Sequence, residues 1–157
     1  MSAMTRLLPA TPSSACQTAP AAADSFEHLI HALRHPQALF DDMADPQLFT
    51  RCEMADWDAT TAAMRQILDR YGVTPAQVLA KLRLAAEFMR HHEIPLEGSP
   101  WLCTHHDECD IWARFDIHTA LIGPDIAVWQ DRFDDVVANR DLRVECFQIW
   151  LLSRGPH

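Results

Sequence analysis

The stretch Asp110-Ile111-Trp112-Ala113-Arg114-Phe115-Asp116-Ile117-His118-Thr119-Ala120-Leu121 decides the architecture of this chain. Ile111, Ala113, Phe115, Ile117, Thr119 and Leu121 fall on one side; Asp110, Trp112, Arg114, Asp116 and His118 fall on the other. Successive side chains of a strand point to opposite faces, so this alternation predicts a half-buried β-strand. Just upstream, Trp101 to Thr104 predicts a pairing strand, folded back through a turn made of His105-His106-Asp107-Glu108. Downstream, Gly123-Pro124-Asp125 closes the strand and opens a helix. Its stripe is Ile126, Trp129, Phe133, Val136 and Val137, with Asp131, Asp134 and Asp135 pointing away. The segment Leu142 to Leu152 becomes almost wholly apolar from Phe147 onward, which predicts a central strand, with a buried helix as the competing assignment.

The preceding half carries helical periodicity. Asp24 or Ser25 can cap a helix bearing Phe26, Leu29, Ile30 and Leu33 on one stripe, which Pro36 stops. Short helices are expected over Pro36 to Met43 and Pro46 to Arg51, because the fixed φ of proline suits a first turn. From Asp56 or Asp58, a longer helix places Trp57, Thr61, Met64, Ile67, Leu68 and Tyr71 on one face, and Gly72 follows as its left-handed C-cap. Thr74-Pro75 starts the next helix, with Val78, Leu82, Ala85, Ala86 and Met89 as its stripe up to about His92. These two helices form an αα-hairpin and are expected to pack antiparallel. The fold class is therefore α+β, an N-terminal helical half followed by a small C-terminal sheet of two to three strands covered by helices.

At 157 residues, 48% of them hydrophobic and 22% charged, the chain matches one ordinary globular domain. A chain of this size buries a core without disulfide or metal staples. Residues 24–154 are assigned to that domain and residues 1–23, rich in Pro, Ala, Ser and Thr, to a disordered tail. The tail lacks the apolar run of about 7 to 15 residues that an export signal requires. Nowhere does an apolar run approach the roughly 18 to 20 residues of a membrane span. The formal charge of −9 repels nucleic-acid phosphates and anionic membrane surfaces, so neither is expected as a direct partner. Five cysteines at irregular spacings (Cys16, Cys52, Cys103, Cys109, Cys146) are an odd number, which favours reduced thiols in a cytoplasm over a disulfide framework. Lys81 is the only lysine beside twelve arginines, and with abundant alanine and aspartate this composition points to a bacterial source.

The densest set of candidate ligands is Cys103, His105, His106 and Cys109, donors of the kind zinc takes in a tetrahedral site. The spacing is not the usual C-x2-4-C hook, and adjacent strand residues face opposite ways. The same segment offers the chain's most plausible thiol nucleophile, although Asp107, Glu108 and Asp110 are expected to push its thiols upward in pKa. Two small cysteines buried beside a polar turn account for the pattern without metal, and the expected cofactor is none, with zinc as the alternative. His28, His31 and His35 form a row along the first helix, a solvated face that would respond to pH if paired with acids. His91-His92 sits where a helix C-terminus favours protonated imidazole. No G-x-S-x-G, Walker, H-E-x-x-H or G-x-G-x-x-G motif is present. Residues 67–78 imitate a helix-turn-helix, yet Ala76, Gln77 and Ala80 offer little to bases or phosphates.

Five tryptophans stand against one tyrosine. Trp112 lies on the charged side of its strand, and Leu84 and Phe88 lie off the main stripe of their helix, so these three are assigned to a partner-binding surface. The expectation is a non-enzymatic cytoplasmic regulator or adaptor that binds another protein, a transcription factor being one candidate, through a homodimer or heterodimer interface. Its binding would rest on apolar contact more than on mimicry of nucleic-acid charge, since the acids are scattered among arginines. The alternative is a small metal- or thiol-dependent enzyme centred on Cys103 to Cys109.

Overall fold

A computed structural model describes residues 25–40 and 56–153, so the expected tail and the expected helix at 46–51 lie outside the described residues. Helices α1, α3 and α4 begin where a side chain takes an otherwise orphaned backbone amide. The Ser25 hydroxyl accepts from His28 N–H at 3.2 Å and starts α1 (Phe26–Arg34). Pro36 precedes the single turn of α2 (Gln37–Phe40), its carbonyl accepting from Leu39 and Phe40. Asp56 caps α3 (Trp57–Tyr71) by accepting from Ala59 N–H at 3.1 Å. That helix stops at Gly72, whose φ of 62° is a left-handed conformation available to glycine without strain. Thr74 and Gln77 then form a reciprocal capping box at the head of α4 (Pro75–His91).

Strands β1 (Trp101–His106) and β2 (Ile111–His118) form an antiparallel hairpin. A crossover through α5 (Gly123–Asn139) brings β3 (Phe147–Leu152) parallel to β2, as a parallel connection requires. The strand order is β1-β2-β3. One hydrophobic cluster runs from Leu29 in α1 to Leu151 in β3 and joins the two halves of the chain. On its sheet side stand Ile111, Ala113, Phe115, Ile117, Phe147, Ile149 and Leu151, all buried. Met64, Ile67 and Leu68 from α3, the apolar faces of α4, and Phe133 and Val137 from α5 complete it.

Two expectations change. The hairpin turn is Asp107 to Asp110, not His105 to Glu108: Asp107 Oδ1 accepts from the amides of Cys109 and Asp110, both at 2.8 Å, which closes the turn two residues later and leaves both histidines in β1. The segment ending at Leu152 is a strand, but an edge strand, with β2 in the centre. Its burial alternates, Gln148, Trp150 and Leu152 facing away from the core, so the apolar run reflects two different surfaces and not burial on both faces. The nearest backbone neighbours of α3 are α1, β1 and β2, whereas those of α4 are α1, α2, α5 and β3. The two helices of the αα-hairpin thus supply different sides of the core.

Candidate functional site

The face of the sheet opposite the core is built by strand parity. Register places Trp101, Cys103 and His105 of β1 opposite Asp116, Arg114 and Trp112 of β2, and places Arg114, Asp116 and His118 beside Gln148, Trp150 and Leu152 of β3. All these residues therefore project from one surface. Three of the five tryptophans stand there, Trp101 at 38% and Trp150 at 41% exposure, with Trp112 half-buried.

At the centre Arg114 grips Asp116 through two bonds, Nε to Oδ1 at 2.6 Å and Nη2 to Oδ2 at 2.9 Å. The planar guanidinium also lies over the Trp150 ring, 4.7 Å from its centroid. Asp116 is only 6% exposed, so its charge relies on this bidentate partner. Alongside, the His105 ring stacks on Trp112 with centroids 4.1 Å apart and planes 16° from parallel. The His105 Nε2 is shut off from solvent with no hydrogen-bond partner among the described residues. The surface is thus aromatic, and its Arg114–Asp116 ion pair is internally neutralised.

Leu84 and Phe88, expected on the same partner surface as Trp112, are each 5% exposed. Phe88 packs on Phe133, with ring centroids 5.4 Å apart, and also meets Trp129 and His92. Because α4 lies between α1 and α2 on one side and α5 and β3 on another, apolar residues on two of its sides are core. Of the three, Trp112 alone stands on the open face of the sheet.

The four candidate metal donors do not converge. Cys103 and His105 share the aromatic face, His106 has the opposite parity and is exposed, and Cys109 sits exposed in the turn. No group of three or more His, Cys, Asp or Glu positioned to hold a metal ion occurs among the described residues. Burial, followed by the Asp116 carboxylate, pushes the Cys103 thiol above its ordinary pKa, against a smaller opposing pull from Arg114. That leaves less thiolate at neutral pH than an ordinary cysteine carries. The acid that acts on Cys103 lies on β2, outside the hairpin turn expected to supply it.

The histidine row on α1 is reduced to one contact, His31 to the capping His35 at 4.8 Å between rings. At the end of α4, His92 is wedged among Phe88, His91 and Trp129, and its pKa is lowered by desolvation first and by His91 and Arg132 next. This downward shift runs against the helix-dipole effect expected from sequence, which favours protonation.

Trp101 and Trp150 are surface residues that the sequence pattern does not single out, whereas it places Arg114 on this face but gives it no role there. For Trp150 the signal was present, since alternation in Phe147-Gln148-Ile149-Trp150-Leu151 assigns it to the face of Gln148. Comparisons with protein families, with characterised proteins and with solved structures find no match to this chain.

Proposed function

We propose that this chain is a small, non-enzymatic cytoplasmic regulator or adaptor that binds another protein through the outer face of its sheet. The observation that carries this reading is the grouping of Trp101, Trp112 and Trp150 around Arg114 on one face of the sheet, with Trp101 and Trp150 exposed. Tryptophan and arginine dominate the energetics of protein interfaces because each buries a large area at small entropic cost. The chain's −9 charge favours a basic partner, while the neutralised Arg114–Asp116 pair at the centre favours an apolar patch on it. A transcription factor bearing a basic surface fits both conditions. The free thiols Cys103, Cys109 and Cys146 support a reducing compartment.

The test compares capture of partners by the wild-type chain and by Trp101→Ala/Trp150→Ala, identified by mass spectrometry. Both side chains are exposed, so the variant is expected to stay folded. A protein retained by the wild type, lost by the variant and held at high salt supports the reading. Capture indifferent to both tryptophans refutes it, as does a strictly monomeric chain that captures nothing.

A further inference from the structure

Along the edge of β3 that no strand among the described residues pairs lies a groove of about 1000 Å³, walled by α5 and the segment leading into the strand. Thr119 N–H and Ala113 N–H donate to the carbonyls of Leu152 and Cys146, so the even-numbered backbone groups of this segment face β2. The odd-numbered groups, of Phe147, Ile149 and Leu151, therefore face the groove. They are held by side chains. Lys81 Nζ donates to the Phe147 carbonyl at 2.8 Å. Gln130 Nε2 donates to the Ile149 carbonyl at 3.1 Å, and Gln130 Oε1 accepts from Leu151 N–H at 2.8 Å. One carboxamide thus bonds to a C=O and an N–H two residues apart, the pair of groups that a neighbouring strand would engage.

We propose that this groove is a strand-addition site, where an extended basic segment of a partner protein displaces the Gln130 carboxamide and pairs with the β3 backbone from Ile149 onward. Charge selects the occupant: Asp131, Asp134, Asp135 and Glu145 line the groove, against Arg143 and a Lys81 already committed to carbonyls. Gln130 Nε2 also donates to Asp134 at 3.0 Å, so a displaced carboxamide keeps a partner and the exchange leaves no group bare. Alternate residues of the incoming strand would meet the α5 carboxylates and the flank of Trp150, which asks for a basic and apolar alternation. Lys81, 8% exposed, stays in place and sets where pairing begins. Trp150 borders both this groove and the outer face, whereas Trp101 and Trp112 do not line the groove; the Ile149, Leu151 and Gln130 signals report on the groove alone, so this inference and the outer-face reading can fail separately.

The probe is a capped octapeptide alternating arginine and valine, with two controls: the same peptide N-methylated at alternate residues, and a glutamate-valine counterpart. Binding is followed by fluorescence anisotropy and by the nuclear magnetic resonance signals of the Ile149 and Leu151 amides and the Gln130 carboxamide. The expected result is binding of the arginine peptide alone, with all three signals shifted. Gln130→Ala, having no bonds to displace, should bind about tenfold more tightly. The wild-type comparison carries the test if that variant folds poorly. Equal binding of the methylated peptide, unmoved Ile149 and Leu151 signals, or no gain in Gln130→Ala overturns the proposal. So does dimerisation of Gln130→Ala through β3 without peptide, which would make a second copy the occupant.

Discussion

Removing either partner of the Arg114–Asp116 pair should have unequal consequences, because the two groups are unequally buried. The Asp116 side chain is 8% exposed and that of Arg114 25%. Arg114→Met keeps an unbranched apolar stem beside Trp150 but strands the carboxylate, and an uncompensated buried charge costs about 3 to 5 kcal/mol. Partial access to water through the vacated guanidinium site places the expected loss near the lower bound, about 3 kcal/mol, or roughly 6 to 12 °C in melting temperature for a chain of this size. Asp116→Leu instead frees a guanidinium that can turn outward to solvent. It loses only charge-assisted bonds, about 1.5 kcal/mol. In the double variant neither charge remains, so stability should recover to within about 1 kcal/mol of wild type. Urea denaturation followed by circular dichroism completes the cycle. An Arg114→Met no worse than Asp116→Leu, or a double variant no better than Arg114→Met, would refute the claim that the pair exists to neutralise a buried carboxylate.

At Gly72 an added Cβ meets nothing within 4 Å, so Gly72→Ala should cost only the left-handed φ, about 1 kcal/mol by thermal melting, with Gly72→Asn costing less. The Asp107 carboxyl is held below its ordinary pKa, first by the Cys109 amide and then by that of Asp110. Its contribution is therefore present above the unfolded pKa near about 4 and is lost as pH falls through the lower folded value, and Asp107→Ala should flatten that acid-side slope in urea midpoints. Lys81 has its pKa lowered by burial, against the pull of Asp134 and Cys146. Between its folded pKa and the ordinary lysine value the unfolded chain binds the extra proton, so this group raises stability with pH, and Lys81→Met should remove the rise. Chelator should leave the melting temperature unchanged; stoichiometric zinc in protein purified without an affinity tag would restore Cys103, His105, His106 and Cys109 as a metal site.

Local chemistry was legible where one residue type has one job. Gly72, the Thr74-Pro75 start and the alternation from Ile111 to Ile117 each name their own conformation, and the structure places a C-cap, a capping box and a strand there. What the sequence hid depended on distant neighbours. The second apolar side of α4 looked like surplus surface until α5 was seen to cover Phe88. The run Phe147 to Leu152 suggested a central strand because its apolar content outweighed its alternation, and the Arg114 guanidinium that lies over Trp150 comes from thirty-odd positions away. Lys81 and Gln130 carry no motif, and their role exists only once β3 lies within reach of both.

The crossover explains why one face of the sheet remains open. A parallel β2–β3 pair cannot be joined by a tight turn, so a helix must return across the sheet, and α5 does so on the side where α3 and α4 already pack. The buried side chains of α3, α4 and α5 join the core side of the sheet, while the opposite face leaves Trp101 and Trp150 exposed. Charged and small polar residues at those positions would keep such a face soluble. Instead the chain places tryptophans there and shelters them pairwise, His105 on Trp112 and Arg114 on Trp150. Stacking of this kind holds Trp112 and Trp150 in fixed orientation while leaving Trp150 exposed, so little of their ordering entropy remains to be lost when a partner covers them. A surface arranged only for solubility has no need of that rigidity, which is the physical case for reading it as a binding face.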